Sequence, residues 1–144
     1  MTTTKKLLLL FSICFLISIS AVGLIRFFDH SKIIATGCFH QVAHKGTGCA
    51  ALIQKDGQIV LQLDDFQTTE NGDLHVLLIS APDAKENETV KMSERLYVAK
   101  LEKSEGSQVY VVPNGQNLTK FNSVVIWNSK YGVNFTTAPL RFGN

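Results

Sequence analysis

Turn signals recur through residues 31–144 about every 8 to 12 residues, and only short apolar or alternating segments lie between them. This spacing constrains the fold more than any other feature. An amphipathic helix needs about ten residues to show its stripe, and a parallel βαβ unit needs a crossover helix. Residues 33–42 and 48–54 read as two strands joined through His44-Lys45-Gly46-Thr47. Asp56-Gly57 leads into Ile59, Leu61 and Leu63 alternating with Val60, Gln62 and Asp64. Asn71-Gly72-Asp73 then precedes Leu74, Val76 and Leu78, with His75 on the opposite face. Residues 81–94 have Val90 and Met92 as their large apolar side chains and no strand pattern, so they read as a surface loop. Residues 96–101 and 108–112 form two more strand segments, divided by Ser104-Glu105-Gly106.

The last pair of segments centres the chain. Val124, Val125, Ile126 and Trp127 place apolar, β-favouring side chains on both faces, as suits a strand covered on both sides. Tyr131, Val133 and Phe135 alternate with Gly132 and Asn134, which predicts a second strand with one buried face after an Asn128-Ser129-Lys130 link. The expectation is an all-β domain, an antiparallel β-sandwich of about eight strands, with Trp127 and Phe135 as core anchors.

Residues 1–30 read differently. Lys5 and Lys6 precede an uncharged run over residues 7–25, close to the roughly 20 residues of a membrane span. They predict an N-terminal transmembrane or signal-anchor helix and linker, with residues 31–144 held outside the cytoplasm, periplasmic or extracellular. Of the net charge of +2, all falls on residues 1–30, so the domain is neutral. Clustered lysine and arginine with interleaved aromatics is missing, which excludes a nucleic-acid surface. No Gly-x-Ser-x-Gly turn or nucleophile with an adjacent base is present, so the expectation is a protein that is not an enzyme.

Several motifs occur in order: Gly37-x-Phe39 with His44 and Gly48; Leu61-x-Leu63-x-x-Phe66; Asn71-Gly72-Asp73-Leu74; Gly106-x-Gln108-x-Tyr110-x-x-Pro113; Val124-Val125-Ile126-Trp127; and Val133-Asn134-Phe135-x-x-Ala138-Pro139-Leu140. Together, from about residue 36 to 140, they resemble the DM13 domain. The resemblance implies a sandwich outside the cytoplasm, tethered to the membrane, with a role in redox or electron-transfer chemistry. It also implies a partner, another envelope or redox protein. The family's proposed redox centre is a cysteine directly after the Ile-Trp pair, and here that position is Asn128. A carboxamide donates and accepts hydrogen bonds but has no thiol chemistry. The alternative is therefore a non-catalytic envelope interaction module that has lost the redox cysteine.

Other candidate groups are few. Cys38 and Cys49 are the cysteines outside the apolar run, and the reading leaves a disulfide and two free thiols both open. A hairpin centred on Lys45-Gly46 would set Phe39 against Leu52 and Cys38 against Ile53, whereas a turn centred on Ala43-His44 would oppose the two cysteines. Cys38, His40 and His44 share a parity, which would put them on one face, and His75 adds a third histidine. These are weak candidates for a polar site or for haem or metal ligands, because no metal motif accompanies them, and no metal is assigned. Asp64, Asp65 and Asp73 read as strand-end and turn residues, and Asn87, Asn117 and Asn134 each begin a glycosylation sequon.

Overall fold

The computed structural model describes residues 30–144. The expected anchor lies outside the described residues; among those residues, no helix is long and apolar enough to cross a membrane. The chain forms β1 (Ser31–Cys38), β2 (His40–Gln41), β3 (Gly46–Lys55), β4 (Gln58–Thr68), β5 (Leu74–Ile79), α1 (Asn87–Met92), β6 (Arg95–Lys100), β7 (Gln108–Val111), β8 (Ser123–Asn128), β9 (Val133–Pro139) and β10 (Arg141–Phe142). Two five-stranded antiparallel sheets result. The first runs β10-β1-β3-β4-β7 and the second β2-β9-β8-β5-β6.

Alternation along the strands builds the core between them. Ala50 and Leu52 of β3, Leu61 and Leu63 of β4, Val76 and Leu78 of β5, and Val124 and Ile126 of β8 all point inward and are fully buried. Phe39 packs edge-on against Phe66, ring centroids 5.0 Å apart, and Phe135 joins the same core.

The first predicted strand divides in two. At Cys38 the chain leaves the first sheet, buries Phe39, and enters the second sheet, where His40 and Gln41 pair with Thr137 and Thr136 of β9. Beside it, β9 runs on through Leu140 into β10 of the first sheet, so two strands change sheets at one corner. Gly37 permits that crossing. A Cβ there would lie 1.8 Å from the Pro139 carbonyl oxygen.

The departure also selects between the two registers left open, and the one formed is that expected for a turn centred on Ala43-His44. Residues 39–45 make an excursion to the second sheet instead of a tight hairpin turn, and Cys38 stands opposite Cys49, with Ala35 opposite Leu52. Because the strand ends at Cys38, the expected common face of Cys38, His40 and His44 does not form. A bulge at Gly48 completes the arrangement. Gly48 has φ +88°, and a Cβ would fall 2.4 Å from the Asp64 carbonyl oxygen.

Residues 81–94 are more than a surface loop. They carry α1 and lay Ala84 and Val90 over Leu77, Ile79, Val125 and Trp127 on the outer face of the second sheet. Trp127 is therefore buried in a second, smaller core, while Phe135 belongs to the main one. Six helical residues are too few to show a period in the sequence. Strand β9 also differs from expectation. It is covered on both faces from Asn134 to Ala138, and Tyr131 sits in the preceding turn with 69% of its surface exposed.

Candidate functional site

Asn128 is the last residue of β8 and is 1% exposed, so it belongs to the strand and not to a linker. Both ends of its carboxamide are engaged. Its Oδ1 accepts from the Tyr131 N–H at 2.9 Å, and its Nδ2 donates to Asn71 Oδ1 at 3.2 Å. Its backbone carbonyl accepts from the Gly132 N–H at 2.9 Å, which closes the turn into β9. The side chain thus caps that turn and ties it to the turn before β5.

Asp73 makes the second tie. Its Oδ2 accepts from the Lys130 N–H at 2.7 Å, and its Oδ1 accepts from His75 Nε2 at 3.1 Å. The His75 bond, followed by the Lys130 N–H, holds the Asp73 carboxyl below its ordinary pKa. The Tyr97 hydroxyl donates to His75 Nδ1 at 3.4 Å. Asn71 borders a cleft of about 480 Å³ between residues 70–72 and 100–105. The far wall of this cleft is set by Gln108 and Tyr110. Gln108 accepts from the Lys103 N–H and donates to the Lys103 carbonyl, and the Tyr110 hydroxyl accepts from the Glu102 N–H at 3.0 Å. The Gly106-x-Gln108-x-Tyr110 motif is thereby explained as the brace of a loop.

The predicted histidine set is dispersed. His44 stacks on Phe135 with ring centroids 3.9 Å apart, and His75 belongs to the Asp73 cluster. His40 lies on the edge strand β2, with Nε2 donating to Asp83 Oδ1 at 2.7 Å and Nδ1 donating to the Gln41 carbonyl. Among the described residues, no group of three or more His, Cys, Asp or Glu side chains is placed to hold a metal. Partial burial disfavours the His40 cation, but the Asp83 and Gln41 bonds outweigh it and raise the pKa above 6.5. A raised pKa contributes stability below the ordinary value and loses it as pH rises through the folded value. Stability should fall modestly as pH rises from about 6.5 through the raised folded value, and Asp83→Asn should flatten that slope in urea melts run at a series of pH values.

The cysteines are joined. Cys38 and Cys49 form a disulfide between directly opposed positions of β1 and β3. Cys38 is exposed and Cys49 half-buried. Sequence reasoning left this pairing open because the excursion to the second sheet, which sets the register, has no local signal. It also missed Asn134 as a latch. Asn134 is fully buried and its Nδ2 donates to the Ala84 carbonyl at 3.1 Å, while the Thr137 hydroxyl donates to the same carbonyl at 2.9 Å. These bonds hold the 81–94 segment against β9, and the burial of Asn134 leaves its sequon no room for a glycan.

The architecture defines an all-β sandwich in which some of the ordered motifs supply core side chains, as Leu61, Leu63, Val124 and Ile126 do, and others hold a turn, a loop or a sheet crossing. The family described as Electron transfer DM13 matches residues 38–140, and the chain belongs to that family. No curated protein and no solved structure matches it.

The bonds around Asn128 make a direct prediction. Asn128→Cys should fold, because the strand geometry around it stays intact, at a cost of about 1 to 2 kcal/mol for the uncapped Tyr131 N–H. Urea denaturation followed by circular dichroism measures that cost, and a loss of under about 0.5 kcal/mol would contradict the capping role.

Proposed function

We propose that this chain is a membrane-tethered, extracytoplasmic module of the electron-transfer DM13 family that passes electrons to or from a partner in the cell envelope, without being an enzyme itself. The observation that carries this reading is the family match over residues 38–140, which takes in the whole of the second sheet and β3, β4 and β7 of the first. The uncharged run over residues 7–25 behind Lys5 and Lys6 supports the tether. The Cys38–Cys49 disulfide supports an oxidising compartment.

A redox titration of the full chain in detergent tests the reading. A reversible couple should appear between about −300 and −120 mV, the span of exchangeable protein dithiols. A chain that takes up no electrons across that span would overturn it. One observation favours a second reading, an envelope binding module without redox chemistry: the carboxamide of Asn128 is spent on structural hydrogen bonds, so position 128 supplies no reactive group. That module would give a featureless titration.

A further inference from the structure

The electron-transfer family places its expected thiol where this chain has a buried carboxamide, yet a different sulfur pair stands at the surface. We propose that the Cys38–Cys49 disulfide is a thiol–disulfide exchange site that takes an electron pair from a dithiol protein, with the Cys38 sulfur as the atom attacked. This inference rests on the electron-transfer reading above and assigns its chemistry to a site that the motifs do not mark.

Three features of the fold carry it. The first is access. Cys38 is exposed, and Cys49 follows the parity of Ala51 and Ile53 on the outer face of the first sheet, while Ala50 and Leu52 point inward. The same face bears Val109 and Val111, each more than half exposed, so no segment among the described residues lies across it as 81–94 lies across the second sheet. A partner can reach the sulfurs without opening the core.

The second is independence of the fold from the bond. Strands β1 and β3 are already paired from Ser31 with Lys55 through Gly37 with Ala50, and β3 is paired along its length with β4. Beyond the disulfide, the Phe39 N–H still donates to the Gly48 carbonyl at 2.9 Å. Reduction therefore leaves the ladder on both sides intact, as a couple with two folded states requires. The third is asymmetry. Cys38 is the more exposed of the two residues and the one an incoming thiolate reaches first, which leaves the half-buried Cys49 as the leaving group.

The steps balance. A partner thiolate attacks the Cys38 sulfur, the Cys38–Cys49 bond breaks, a mixed disulfide forms, and Cys49 departs as a thiolate that takes up a proton. The partner's second thiolate then attacks its own sulfur in the mixed disulfide, which forms the partner's disulfide and releases Cys38, also to be protonated. The partner dithiol loses two electrons and two protons, and the domain gains both.

The test uses the full chain carrying Cys14→Ser, so that its remaining cysteines are Cys38 and Cys49. In reduced and oxidised glutathione buffers, maleimide gel shifts should show the pair passing reversibly between disulfide and dithiol, with an unchanged circular dichroism spectrum. With Cys49→Ser added, Cys38 should form a mixed disulfide with oxidised glutathione. With Cys38→Ser added instead, Cys49 should react about tenfold more slowly. A pair that stays oxidised in every glutathione ratio, or that unfolds on reduction, would overturn the exchange site. Equal or faster reaction at Cys49 would overturn the choice of Cys38. If the redox couple persists in a chain with both Cys38→Ser and Cys49→Ser, the exchange site fails while the electron-transfer reading stands. If the Cys14→Ser chain shows no couple at all, the electron-transfer reading itself falls.

Discussion

Trp127→Ala will cost about 3 to 5 kcal/mol in urea denaturation followed by circular dichroism, the range for removing a large aromatic from a packed site. The loss will come from the outer face of the second sheet. Trp127 is 7% exposed there and clusters with Leu77, Ile79, Val125 and two buried residues of the 81–94 segment, Ala84 and Val90, with Ala81 packed against the cluster's edge. Hydrogen exchange should accelerate in 81–94 beyond the global change, since the latch from Asn134 and Thr137 to the Ala84 carbonyl would hold a segment with its apolar seat gone. Val111→Ala, at a side chain 56% exposed, should change stability by no more than about 0.5 kcal/mol. A loss of under about 1 kcal/mol for Trp127→Ala would show that the second core does not hold the segment.

Gly37→Ala will cost about 3 kcal/mol or more, at or above the top of the ordinary range for overpacking. The added methyl would fall 1.8 Å from the Pro139 carbonyl oxygen and 2.7 Å from its carbon, and both are backbone atoms at the point where β9 passes to β10. Neither can turn aside as a side chain would, so one of the two crossing strands must move. Gly72→Ala is the matched control, because nothing lies within 4 Å of its Cβ position, and it should be close to neutral. Thermal melts of the two variants compare them directly, and equal melting temperatures would refute the close crossing.

Much of the sheet was legible because a strand announces itself locally. Leu61 and Leu63 against Val60 and Gln62, or Leu74, Val76 and Leu78 against His75, show which side chains turn inward without reference to the rest of the chain. The turn residues between them, such as Asp56-Gly57, mark where pairing reverses for the same local reason. The candidate site was legible in part. Asn128 stood out against the family pattern, but its role as a turn cap depends on Asn71, far away in the chain. The six residues of α1 carry a single buried side chain, Val90, which no periodicity can reveal.

By itself the sequence determined that residues 31–144 would alternate into short antiparallel strands, that the chain carries the DM13 motifs, and that position 128 holds a carboxamide. Tertiary structure decided the pairing of Cys38 with Cys49, the separation of His40, His44 and His75, and the burial of Trp127 in a core apart from Phe135. The reason is the crossing at Gly37 and Phe39. Side-chain alternation is a property of neighbouring residues, whereas the change of sheet depends on whether Pro139, Phe66 and Thr137 are there to receive the chain, and those contacts exist only once the sandwich has closed.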